Sequence, residues 1–336
     1  MFLFWIGFFA LVALLLFLDL FVLNRGNKEP TLKSAAWWTV GWVALGLSFS
    51  GVVYLIYENG WLGAKLGDQP LCNTGADAAV MYVSAYLLEQ ALSIDNIFVI
   101  ALLFISFRVP MKYQHRVLFW GILGAIVFRL IMLGGGAYLA HRFGWIFYIF
   151  GAYLVYQGFK LFGHDDDEEP DHNKSLVVRS LRKFVRVVDG EHGGKFTVTV
   201  DGKKALTTIA VCLVSIELTD IVFALDSIPA VLSVSQETFV MVTSNIFAIM
   251  GLRSLYFVLA GAMEKFRYLK LAIAVLLIMI GAKMISHEWI QISHLVTLLG
   301  IAGIIAAGVI ASMIASRRET KAAAALPPVD PAQPEN

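Results

Sequence analysis

Five carboxylates, Glu89, Asp95, Glu217, Asp220 and Asp226, fall inside stretches of sequence apolar enough to cross a lipid bilayer. An acidic side chain at the centre of a membrane helix costs roughly 2.5–3.5 kcal/mol on insertion scales, so five standing alone would cost on the order of 12–17 kcal/mol. A bound cation, protons or basic side chains must offset that. Arg129 and Arg253 are two partners within apolar stretches, and pairing with them leaves a surplus of carboxylates that suits a cation better than an anion. Near the acids stand Ser93, Asn96, Thr219, Ser227 and Asn245. Hard oxygen donors with no Cys, Met or His cluster suit Mn²⁺, Mg²⁺ or Ca²⁺ over Cu or Zn, and oxygen chemistry alone does not separate the three. The residues therefore admit three chemistries: metal coordination by Glu89, Asp95, Asn96, Glu217, Asp220 and Asp226, a proton relay, or structural pairing of acids with arginines.

Helix geometry limits how these groups converge. At 100° per residue, Glu217 and Asp220 share a face, whereas Asp95 and Asp226 lie about 120° around from Glu89 and Asp220 respectively. Aiming both acids of one helix at one point requires local unwinding, and Pro229, three residues after Asp226, is expected to help break the helix there.

The acidic segments are two copies of one pattern. EQALSIDNIFVI from Glu89 superposes on DIVFALDSIPAV from Asp220, placing Glu89 on Asp220, Asp95 on Asp226 and Asn96 on Ser227. Downstream, Arg129 corresponds to Arg253, and Gly158-Phe159-Lys160 to Gly281-Ala282-Lys283. The copies are three apolar stretches apart, an odd number, so they must run in opposite senses through a membrane. That predicts a 3+3 inverted-topology repeat, the architecture of many secondary transporters, with the substrate site near the midplane. Arg129, Arg253, Lys160 and Lys283 are then counter-ions or gate elements, although snorkelling accounts equally well for the two lysines.

The elements that must position these groups follow from composition. Of 336 residues, 58% are hydrophobic and 15% charged, and mean hydropathy is +0.73. Soluble domains run nearer about 45–50% apolar and about a quarter charged, so a water-soluble enzyme is excluded and an all-α polytopic membrane protein expected. The net charge of +1 gives no surplus of basic surface for nucleic acid. No nucleophile, zinc or phosphate-loop motif is present, so no enzyme and no cofactor are expected. Cys72 and Cys212 form no CxxC pair and are read as inert.

About nine spans are predicted, near 2–23, 36–57, 79–106, 115–137, 143–162, 205–234, 238–262, 269–286 and 292–315. Lys and Arg number 20 on one set of alternate connections and two, Lys65 and Arg142, on the other. The positive-inside rule then puts the N-terminus outside and the C-terminus in the cytoplasm. The predicted organisation is two peripheral spans (1–78), a first three-helix repeat (79–162), a cytoplasmic insert (163–204), a second repeat (205–286), a last span (287–318) and a disordered tail (319–336). The insert opens on the acidic run HDDDEEPDH, continues as a basic amphipathic stretch and ends in a strand-like pair around KFTVTV. Trp37, Trp38, Trp42, Trp61 and Trp145 read as interfacial anchors. Asp19 has no mate in the repeat.

At YLLEQALSIDNIFV from Tyr86, VLFWGILGAIVFR ending at Arg129, IFGAYLVYQGFK ending at Lys160, SIELTDIVFALDSIPA from Ser215 and SNIFAIMGLRSLYF from Ser244, the sequence resembles the TerC integral-membrane family of tellurium-resistance-associated proteins and manganese exporters, related to LysE-type transporters. The resemblance covers about 80–320. It implies a bacterial inner-membrane exporter of Mn²⁺, the ion being transported substrate rather than cofactor, with Glu89, Asp95, Asn96, Glu217, Asp220 and Asp226 as transport-site residues. Tellurite itself need not be the substrate, because a carboxylate-rich site repels an oxyanion. The lipid bilayer and a divalent cation are the expected partners, and oligomeric state is not legible. Two other functions fit the residues: a membrane scaffold or maturation factor with structural buried salt bridges, and a LysE-type exporter of an organic cation.

Overall fold

The computed structural model describes residues 2–19, 32–61, 74–143, 145–162, 187–188, 193–200, 203–260, 268–286, 289–290 and 292–325. Among them lie nine helices: α1 (Phe2–Leu18), α2 (Leu32–Glu58), α3 (Gly75–Ser106), α4 (Met111–Arg142), α5 (Ile146–Phe162), α6 (Thr208–Val234), α7 (Thr238–Ala260), α8 (Leu269–Ile285) and α9 (His294–Ala325). Three short strands, β1 (Val187–Val188), β2 (Thr197–Val200) and β3 (Lys203–Thr207), join α5 to α6. Six helices, α2, α3, α4, α6, α7 and α9, are long and apolar enough to cross a membrane. The apolar segments of α1 (Leu3–Leu18) and α8 (Leu271–Ile285) are shorter, and α5 has 17 residues. Large apolar side chains such as Trp37, Leu55, Leu299 and Ile310 point outward from α2 and α9, as a surface solvated by lipid permits.

Local signals set the ends of the core helices. Thr74 caps α3: its Oγ1 accepts from the Asp77 amide at 3.1 Å and donates to the Asp77 carboxylate at 3.0 Å, satisfying a donor that a helix start leaves open. Thr207 closes β3 and caps α6 at once, accepting from the Ala210 amide at 3.3 Å. For that reason α6 begins at Thr208 rather than near 205. The sheet has the order β1-β3-β2, with β1 parallel and β2 antiparallel to β3. The expected strand pair therefore gains a third strand from the end of the basic stretch, and the chain is not wholly helical. Arg116 at the start of α4 donates to the Gly194 carbonyl at 3.1 Å and lies over the Phe196 ring, docking the sheet on the helices. The rest of the insert, including the acidic run, lies outside the described residues.

Three further expectations are corrected. Neither α3 nor α6 unwinds: α6 is continuous through Pro229, since a membrane helix can tolerate the lost backbone bond when its neighbours compensate. α9 extends to Ala325, so residues 319–325, expected in a disordered tail, are helical. Trp42 is buried on α2 beside Gly251 of α7, not held at an interface.

The core is built around α3, which packs against α2, α6, α7 and α9, while α4 packs on α6 and α7. A close backbone approach joins α5 to α8. A Cβ at Gly281 would lie 2.5 Å from the Gly151 carbonyl oxygen, and one at Gly158 would lie 2.8 Å from that of Ala274. Small residues let backbones approach this closely, which is how helices associate where no hydrophobic drive exists.

Candidate functional site

Arg129 is the centre of the site. It reaches inward from α4 and is 1% exposed. Its guanidinium joins three other helices. Nη1 pairs with Glu89 of α3 and contacts the Asn245 amide oxygen of α7 at 3.5 Å, while Nε and Nη2 donate to Asp220 of α6 at 3.4 and 3.1 Å. Asn245 donates in turn to the second Glu89 oxygen at 2.9 Å. Glu89 is fully buried, and both of its oxygens are engaged. A fork of donors on one rigid plane suits this bridging of two carboxylates.

Asp226 goes elsewhere. Because α6 is continuous, six residues turn Asp226 about 120° away from Asp220, toward α5. There the Gln157 amide donates to its two oxygens at 3.0 and 3.2 Å and to the Tyr153 hydroxyl at 3.1 Å. Glu217 lies three residues before Asp220 and packs against Gly124 of α4, where any Cβ would overlap its carboxylate. Its Oε2 is buried without a hydrogen-bond partner, as are the hydroxyls of Ser93 and Ser227. Asn96 is buried on α3; the Asp95 side chain lies outside the described residues.

The structure thus joins Glu89 and Asp220 through Arg129, and places Asp226 and Glu217 in contact with α5 and α4. Among the described residues, no three His, Cys, Asp or Glu stand together as a ready metal cluster. Arg253, the repeat mate of Arg129, does not join this centre. It pairs with Asp19 at the end of α1, giving that acid a role sequence reasoning did not find: Arg253 was expected as a counter-ion or gate element, but its partner acid was not identified. Lys160 is exposed in the last turn of α5. Lys283 donates to the Ser233 carbonyl at 3.1 Å and lines a cavity of about 420 Å³ with His294 and Ser235. Gln157 and Tyr153 had no signal as single polar residues in an apolar run. Gly124 had none either, since only its neighbour explains it.

The model of the integral membrane protein TerC family matches residues 74–322. "Uncharacterized membrane protein STKORF319" of Myxococcus xanthus is 39% identical over 97% of this chain and 96% of its own length. A membrane protein of Rickettsia felis is 38% identical over 92% of this chain and 97% of its own. "Putative membrane-bound redox modulator Alx" of Escherichia coli K12 is 40% identical over 90% and 91%. No solved structure matches the chain.

Proposed function

The chain belongs to the TerC family of integral membrane proteins, and from that premise we propose that it is a bacterial inner-membrane exporter of a divalent cation, with Mn²⁺ the expected cargo. The observation that carries this reading is the pairing of buried Glu89 with part-buried Asp220, bridged between α3 and α6 by the Arg129 guanidinium. Hard oxygens lie about one turn away on the same helices: Ser93 and Glu217 Oε2, both without hydrogen-bond partners. Such a donor set suits Mn²⁺, Mg²⁺ or Ca²⁺. The redox modulation named for the Escherichia coli relative finds no exposed thiol among the described residues to rest on, since Cys212 is buried on α6.

The transport cycle we propose is alternating access by two inverted repeats, α3–α5 and α6–α8, within nine spans with the N-terminus outside. Packing supports it. Exchanging α3, α4 and α5 for α6, α7 and α8 carries the α4–α6 contact onto α7–α3, and carries α3–α6, α4–α7 and α5–α8 onto themselves. Single residues follow the same exchange. Gly158 meets Ala274 and Ile278, and Gly281 meets Gly151 and Val155; each partner lies 123 residues from its mate. Two-fold-related contacts of this kind suit two halves that rock about a shared centre.

The test is Mn²⁺ uptake into inside-out vesicles. Wild-type protein is expected to accumulate the ion, and Glu89→Gln and Asp220→Asn to abolish accumulation at equal protein level. Unchanged uptake in both variants would refute the proposal. The Arg129 bridge also favours a second reading, a scaffold whose acids are salt-bridged only for stability. In that case the triple variant Glu89→Gln, Arg129→Met, Asp220→Asn keeps full function in cells, whereas an exporter loses it.

A further inference from the structure

We infer that Arg129 is a tethered substitute for the cargo: its guanidinium holds the cation site whenever the transported ion does not, and thereby lets the unloaded carrier change sides. The inference rests on the exporter reading above and assigns the device that couples occupancy to movement. Geometry is the first support. One guanidinium contacts both central carboxylates and the amide between them, on three helices from both repeats. The oxygens it engages are those a hard dication would take. Cation and guanidinium cannot share them, since two like charges a few ångströms apart in a low-dielectric interior repel strongly. Entry of the ion therefore requires Arg129 to leave.

The donors needed after that exchange are already on the same helices. Ser93 lies one turn from Glu89 and Glu217 less than one turn from Asp220, so each shares a face with its acid; Ser227 shares the face of Asp220 but stands about 10 Å along the axis, beyond the reach of the same ion. The hydroxyl of Ser93 and Oε2 of Glu217 are buried and unpartnered, whereas the oxygens of Glu89 and Asp220 are taken by Arg129 and Asn245. A divalent ion brings more charge than the guanidinium it replaces and finds these extra donors. A monovalent ion brings no more charge than the group it must displace, so the arrangement selects against Na⁺ and K⁺.

The unloaded half of the cycle carries the consequence. Without a cation, Glu89 and Asp220 would cross the occluded state as two unpaired buried charges, a strongly unfavourable arrangement. With Arg129 between them, the carrier returns empty and net export follows. Without Arg129, only the loaded carrier crosses, and the protein exchanges ion for ion.

The test uses purified full-length protein in proteoliposomes with radiolabelled Mn²⁺. Net uptake into an ion-free lumen is compared with exchange against Mn²⁺ on both sides. Wild-type protein is expected to do both. Arg129→Gln is expected to keep exchange while net uptake falls on the order of a hundredfold or more, as loss of one partner of a buried ion pair implies. Arg129→Lys, which keeps the charge, restores net uptake. Arg129→Gln is purified in Mn²⁺, which should also raise its melting temperature more than that of wild-type protein. Wild-type net uptake in Arg129→Gln overturns the inference and leaves the exporter reading standing, as does loss of both modes that Arg129→Lys fails to restore. Absence of any Mn²⁺ flux in the wild type overturns the exporter reading and this inference with it.

Discussion

Replacing Gly281 with Ala tests how closely α5 and α8 must approach. A Cβ at this position would stand 2.5 Å from the Gly151 carbonyl oxygen, 2.8 Å from Val155 Cγ2 and 2.9 Å from the Val155 amide nitrogen. Carbon contacts are most favourable near about 3.5–4.0 Å, so relief needs about 1 Å of separation. Two of the three obstacles are backbone and cannot rotate aside. Overpacking of this kind costs about 1–3 kcal/mol, and a backbone obstacle belongs near the top of that range. Ala recovers up to about 1 kcal/mol over Gly inside a helix, leaving a net loss of about 2 kcal/mol. Gly134 of α4 is the internal control: a Cβ there meets nothing within 4 Å, so Gly134→Ala expresses only the helix gain. Thermal unfolding in detergent should show Gly281→Ala melting several degrees below Gly134→Ala. The double variant Gly158→Ala, Gly281→Ala should cost less than the sum of the singles, because one separation of α5 from α8 relieves both overlaps. A melting temperature for Gly281→Ala at or above that of the control, or strict additivity in the double variant, would refute the reasoning.

Arg253→Met alone leaves the buried Asp19 without its arginine, at a cost of up to about 3–5 kcal/mol, whereas adding Asp19→Leu should recover most of the loss; unfolding of both variants checks this, and equal destabilisation would sink it. Gly124→Ala forces the Glu217 carboxylate off α4; since a side-chain terminus can move, the fold should survive while Mn²⁺ uptake into vesicles drops severalfold. With Cys72 and Cys212 replaced, a cysteine at Thr197 should react with an impermeant maleimide only from the cytoplasmic side, and one at Trp61 only from the outside. Labelling of both from one side contradicts nine spans.

Much of the helical layout was legible because each apolar run is long and bounded by charge or turn residues, as at Thr74 before α3 and Thr207 before α6. The acids of the candidate site stood out for a related reason: a carboxylate in an apolar run is costly, and cost marks it. Which acid meets which partner was not legible. The sequence allowed a break at Pro229 that would aim Asp220 and Asp226 together, but α6 stays helical through Pro229 and Asp226 meets Gln157 instead. The mate of Arg129 went to Asp19 rather than to the central acids, a choice that depends on where α1 lies.

By itself, then, the sequence determined that this chain enters the membrane, which residues carry charge into it, and that two segments repeat one pattern. Those properties are written in transfer free energy and spacing along one chain. Only the tertiary structure decided that Arg129 lies between Glu89 and Asp220, that Gly124 makes room for Glu217, and that Gly158 and Gly281 bring two backbones together. Pairing depends on the direction in which each helix face points and on how near its neighbour lies, and neither is encoded locally in the residues that pair.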